Sequence, residues 1–166
     1  MEKKVWKFTN QRELNKKEFI NYFERKIFRT IRKYGMLPKD RIILLKKSDN
    51  LNYLVLKRVL GGKFKVKFSN KPNFSSENLS ECAERIFINI LKGKFTGPKP
   101  KDKISRPLYF LSDKEIELYA KIKNIYGGKR KSNRKIGKLI DKFSEKNQDI
   151  EINIVNAMEK IFRKDL

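Results

Sequence analysis

The stretch that most limits what this chain can fold into is RIILLKKSDNLNYLVLKRVL, Arg41 to Leu60. Ile42, Ile43, Leu44 and Leu45 read as a buried strand, Lys46 to Asn50 as a polar turn, and Leu54, Val55, Leu56, Val59 and Leu60 as the apolar face of a helix. A strand that feeds a helix in this way belongs to an α/β layer fold, where ligands sit at the strand's carboxyl end. A phosphate held at such a turn needs glycines, so that backbone N–H groups approach it without a Cβ in the way. The turn Lys47-Ser48-Asp49-Asn50-Leu51-Asn52 has no glycine, and Asp49 repels a phosphate.

The other segments extend the same architecture. Phe19, Phe23, Ile27 and Ile31 recur at helical spacing within Lys17 to Tyr34, with Arg25, Lys26, Arg29, Arg32 and Lys33 opposite and Gly35 placed to stop the helix. Phe64, Val66 and Phe68 alternate with lysines, which predicts an edge strand buried on the phenylalanine face. Asn78 and Glu81 predict a capping box for a helix through Leu91, whose apolar stripe contains Cys82. Ile104 to Phe110 reads as a short strand, and Ser112 to Glu115 as a second capping box. Gly127-Gly128 is expected to end that helix. Helices from Ser132 or Asn133 and from about Glu151 complete the chain. The alternation predicts one domain over 1–166 with a small parallel sheet flanked by helices; in the sparse segment 1–17, Val5, Trp6 and Phe8 form a short strand or pack loosely on the body.

Charge selects the partner class. Lysine and arginine number 42 against 19 acids, a net +23 spread along the whole chain, which makes a polyanion the default partner. No apolar run is long enough for a membrane span and the polar N-terminus carries no secretory signal, so a cytoplasmic protein is expected. With one cysteine and no histidine, this chain alone builds neither a zinc nor an iron–sulfur site, and histidine-based catalysis is closed to it. Cys82 reads as a small buried hydrophobe.

Three ordered segments resemble one family, the tRNA 2-thiouridine synthases of the ATP-pyrophosphatase type. Phe23-Glu24-Arg25 through Tyr34-Gly35-Met36-Leu37 and Asp40-Arg41 resembles the family's lead-in helix. Asn78 to Ala83 with Ile88 to Gly93 resembles its "NLDD-A-T…MNLLRG" helix, and Ile104 to Tyr109 with Lys114 to Ala120 its "IRPL-Y…EKE-ALYA" segment. The resemblance implies a reduced doubly wound, Rossmann-like, adenine-nucleotide-alpha-hydrolase-like fold. It also implies chemistry in which a uridine is adenylated and its oxygen replaced by sulfur. The family's pyrophosphate loop, SGGKDS, falls on Lys47, Ser48, Asp49, Asn50, Leu51 and Asn52, and its paired aspartates on Ser80 and Glu81. Its catalytic and cluster-binding cysteines have no counterparts here.

The resemblance therefore suggests the decayed member of a two-subunit thiolase: a non-enzymatic, tRNA-binding chain without cofactor that docks on a catalytic thiolase subunit. Candidate phosphate contacts are Arg29, Arg32 and Lys33 on the lead-in helix; Lys92, Lys94, Lys99, Lys101, Lys103 and Arg106 in the glycine- and proline-punctuated loop; and Lys129, Arg130, Lys131, Arg134 and Lys135 around a helix N-terminus. That last cluster is expected to receive an external anion, and base stacking is expected to be minor. Alternative readings are a free-standing RNA-binding or ribosome-associated protein, or an ATP-dependent enzyme with a rewired loop.

Overall fold

A computed structural model describes residues 2–164. The chain opens with an antiparallel hairpin, β1 (Lys4–Lys7) and β2 (Glu13–Asn15), so Val5 and Trp6 do lie in a short strand, with a second strand paired to it. Asn15 then caps α1 (Lys16–Lys33) through a reciprocal box with Glu18, and the expected apolar row Phe19, Phe23, Ile27 and Ile31 is buried. Gly35, at φ +56°, turns the chain out of the helix.

The sheet is small and parallel. β3 (Ile42–Leu45) pairs with β4 (Lys65–Phe68) in the register Ile42↔Lys65 to Leu45↔Phe68, with α2 (Leu51–Gly61) as the crossover between them. Beyond β3 the sheet continues only as single bridges, Leu45 to Phe74 and Phe74 to Ser105. Asn73 takes the place of a longer strand: its side chain accepts from Leu44 N at 2.8 Å and donates to Ile42 O at 3.1 Å. The strand expected over Ile104–Phe110 is thus one bridging residue followed by turns, closed by Tyr109 N to Arg106 O and Leu111 N to Leu108 O. Pro107 has no N–H to continue a ladder. β4 lies on the sheet's edge, as its lysines predicted, but Phe68 does not join the buried face and is 53% exposed.

Four more helices close the body: α3 (Leu79–Leu91), α4 (Asp113–Lys123), α5 (Arg134–Lys146) and α6 (Ile150–Lys164). The main core joins α1, α2 and α4 to the sheet, with Phe23 stacked on Tyr119 at 4.2 Å between ring centroids. A second cluster packs Leu79, Cys82, Ala83 and Ile86 of α3 against Val155 and Met158 of α6. Asn78 caps α3 through Glu81 N alone, with no reciprocal bond from the Glu81 side chain, and its side-chain amide donates to Asp113. Ser112 and Glu115 do form the expected box on α4. That helix ends at Asn124 in the left-handed conformation, not at Gly127-Gly128. No helix among the described residues is long and apolar enough to cross a membrane.

Truncating Phe23 removes both its burial and the ring stacked on Tyr119. Phe23→Ala is expected to destabilise the fold by about 3–5 kcal/mol in denaturant unfolding.

Candidate functional site

Two regions far apart in sequence, Lys47–Asn52 and Lys129–Arg134, meet across one cleft of about 510 Å³. The carboxyl end of β3 leads through Lys46 to Asp49 into α2, whose N-terminal N–H groups face this side. Their partners come from the chain itself. Leu51 N donates to Gly128 O at 2.7 Å, Tyr53 N to the Asn50 side chain at 2.9 Å, and Gly128 N returns a bond to Asp49 O at 3.1 Å. The strap that runs from α4 to α5 therefore lies directly over the start of α2. Gly127 is what lets it approach: a Cβ there would stand 2.6 Å from Leu54 Cδ1 and 3.0 Å from Asp49 O.

The start of α5 is satisfied in the same manner. Glu84 of α3, 6% exposed, receives Asn133 N, Ser132 Oγ at 3.1 Å and Arg130 Nη1 at 3.3 Å. Arg130 also holds Asp113, with Nε at 3.0 Å from Oδ1. Beneath this cluster Ser80 Oγ donates to Glu151 at 2.7 Å and accepts from Asp113 N at 2.9 Å. Burial holds the Glu151 carboxyl above the usual carboxylate range, although the Ser80 hydroxyl works against it. The anion expected at the cation-ringed helix is thus an internal carboxylate.

The cleft is not a basic surface. Glu84, Asp113, Glu117, Asp141, Glu145 and Glu151 stand against five cationic side chains along its walls. In a chain of +23 this near balance moves any polyanion to the outside of the molecule. Asn52, 4% exposed, also lines the cleft, and its Nδ2 finds no partner within the protein.

The structure divides the cations singled out in the sequence. Arg130 is internal, as described. Arg106 is 6% exposed and joins Glu77, Asp102 Oδ2 at 2.8 Å and Lys99 O at 2.9 Å, so it pins its loop to the body. Both guanidinium groups are largely shielded and tied to carboxylates, which sets them apart from the exposed cations around them. Lys129, Lys131, Arg134 and Lys135 are exposed around the start of α5. Lys92, Lys94, Lys99, Lys101 and Lys103 are exposed along the loop, and Arg29, Arg32 and Lys33 along α1. Lys101 Nζ donates to Gly35 O at 2.5 Å, which brings the loop's cations against the end of α1 as one surface. No sequence signal revealed Glu84 as the hub, since its partners lie 46 to 49 residues away.

No protein-family model matches this chain, and no curated protein matches it. Among solved structures it is similar to U34-tRNA thiolase NcsA from Methanococcus maripaludis with its [4Fe-4S] cluster. The TM-score is 0.76 over 96% of this chain and 84% of that one, at 12% sequence identity. The fold is thereby the Rossmann-like, adenine-nucleotide-alpha-hydrolase-like one that the sequence led us to expect. The expectation of a chain that is not an enzyme is overturned by the same finding, since the matching fold is that of a catalytic thiolase. The residues present do not fit a cluster held by this chain alone: its one cysteine is fully buried, and burial pushes its thiol up. Among the described residues no group of His, Cys, Asp or Glu is placed to hold a metal ion. At the start of α2, Leu51 N and Tyr53 N are already bonded within the chain.

Glu84→Ala is expected to cost about 3–5 kcal/mol in denaturant unfolding, because it takes one of two carboxylates from Arg130 and leaves Ser132 Oγ and Asn133 N without their acceptor. Lys131→Ala, at an exposed position beside them, is expected to stay within about 0.5 kcal/mol. A second outcome concerns Glu81, which burial, and then the neighbouring Glu77 carboxylate, push up to about 7 from 4.5. The folded state then binds this proton more tightly than the unfolded one. Its stabilising contribution is complete below pH 4.5 and is lost as pH rises through about 7. Glu81→Gln, neutral throughout, should unfold at a higher denaturant concentration than the parent at pH 8, by about 1–2 kcal/mol after solvent screening. The two proteins should coincide near pH 4.

Proposed function

We propose that this chain serves the thiolation of tRNA uridines as a subunit that holds the RNA and docks on a thiolase subunit supplying the cluster's cysteine ligands. The observation that carries this reading is the fold shared with a U34-tRNA thiolase across nearly the whole chain. A charge of +23 supports tRNA as the polyanion, and the single buried cysteine supports a second subunit. The apolar side of α5 supports docking: of Leu139, Ile140 and Phe143 only Ile140 is buried, and Phe143 is 46% exposed.

In this reading Lys129, Lys131, Arg134 and Lys135 contact one stretch of phosphates. The joined surface of the 92–103 loop and α1 contacts another. Such contacts fix the RNA's position without reading its sequence.

A salt titration of tRNA binding tests the proposal. If the exposed cations neutralise about six phosphates, affinity should fall about a thousandfold between 50 and 200 mM salt. Joint replacement of Lys129, Lys131 and Lys135 by glutamate should flatten that dependence, whereas Arg106→Ala should lower stability and leave the slope unchanged. Salt-independent binding, or purification from native lysate without any thiolase subunit, would contradict the reading.

A further inference from the structure

We propose that Phe68, with Lys47 and Lys57, is a stacking platform for an unpaired base of an RNA strand. This deepens the function proposed above and rests on its RNA-binding part.

Phe68 is the last residue of the edge strand β4, at the carboxyl end of the parallel sheet, and is 53% exposed. Its alternation with Val66 and Phe64 marked it for the buried face, yet the packed body leaves much of its ring open. What surrounds the ring is cationic and aromatic. Lys57 Nζ lies 5.0 Å and Lys47 Nζ 5.8 Å from its centroid, and the Tyr53 ring lies 6.3 Å away. Two ammonium groups that repel each other are gathered on one exposed ring, where its π-face attracts both.

An exposed ring with two lysine ammonium groups near it suits a nucleotide better than a folded protein surface. The base offers a flat face to the ring, and the phosphates on either side of it meet the lysines. Lys47 and Tyr53, both beside the ring, also line a cavity of about 400 Å³ with Lys46, Ser48, Phe74 and Ser76, among others. Tyr53 belongs to both features, and its hydroxyl is buried without a partner. A base displaced from a helical stack has edges that need such partners, whereas a base inside a duplex does not. The platform therefore selects single-stranded RNA, while the cation surfaces described earlier accept any phosphate backbone.

The test compares a labelled oligouridylate with a labelled RNA hairpin of the same length, measured by fluorescence anisotropy on the full chain. Phe68→Ala should weaken oligouridylate binding by about 5- to 100-fold, the range of one lost base stack. It should leave hairpin affinity and the salt slope within about twofold. Phe68→Trp should restore oligouridylate binding, and its added fluorescence over the parent should be quenched by that ligand. If the parent binds tRNA and Phe68→Ala matches it on oligouridylate, the platform is refuted and the wider proposal stands. Equal losses on both RNAs refute the platform too, since a misfolded or merely electrostatic effect does not discriminate. A parent that binds neither RNA overturns this inference together with the function it rests on.

Discussion

One carboxylate ties α3 to the segment that joins α4 to α5. Glu84 projects from the middle of α3 and takes three donors from the strap between α4 and α5: Arg130, Ser132 and the backbone of Asn133. A helix start and a buried guanidinium both require a negative partner, and here one residue serves both. With that end of the strap fixed, Gly127-Gly128 is carried across the start of α2 and bonds the amide of Leu51. At both helix starts, Leu51 N and Asn133 N are bonded from within the chain. The cleft between them carries acids and bases in near balance. The excess positive charge is left on the outer surfaces.

The helices were legible in the sequence because each carries an apolar face at helical spacing, and Ser112 with Glu115 also marked the start of α4. The strand and helix of Arg41–Leu60 were legible for the same reason. The sheet beyond β3 was not, since an apolar segment such as Ile104–Phe110 can fill a core through turns as well as through a ladder. Asn73, whose amide replaces a missing strand, carries no periodic signal at all. β2 escaped notice because three residues are too few to show a pattern.

The candidate site was half legible. The absence of glycine from Lys47–Asn52 drew attention to this turn, but not to the Gly128 carbonyl that bonds Leu51 N there. Arg106 and Arg130 looked like the exposed cations around them, because their carboxylate partners Glu77 and Glu84 come from distant turns of the chain. Phe68 shows the converse error, an apolar residue in strict alternation that nonetheless faces solvent. Pairing and exposure are decided by packing between elements, which local sequence does not record.

Sharing a fold with a thiolase while covering the start of α2 makes the strap the feature on which this account turns. Amide hydrogen exchange at Leu51 measures it directly, with and without added pyrophosphate. If Gly128 holds that N–H, Leu51 should be protected in the free protein and pyrophosphate should not change its exchange rate or chemical shift. Rapid exchange that slows only when pyrophosphate is added would mean that the start of α2 is open to an anion, and the account would be wrong at its centre.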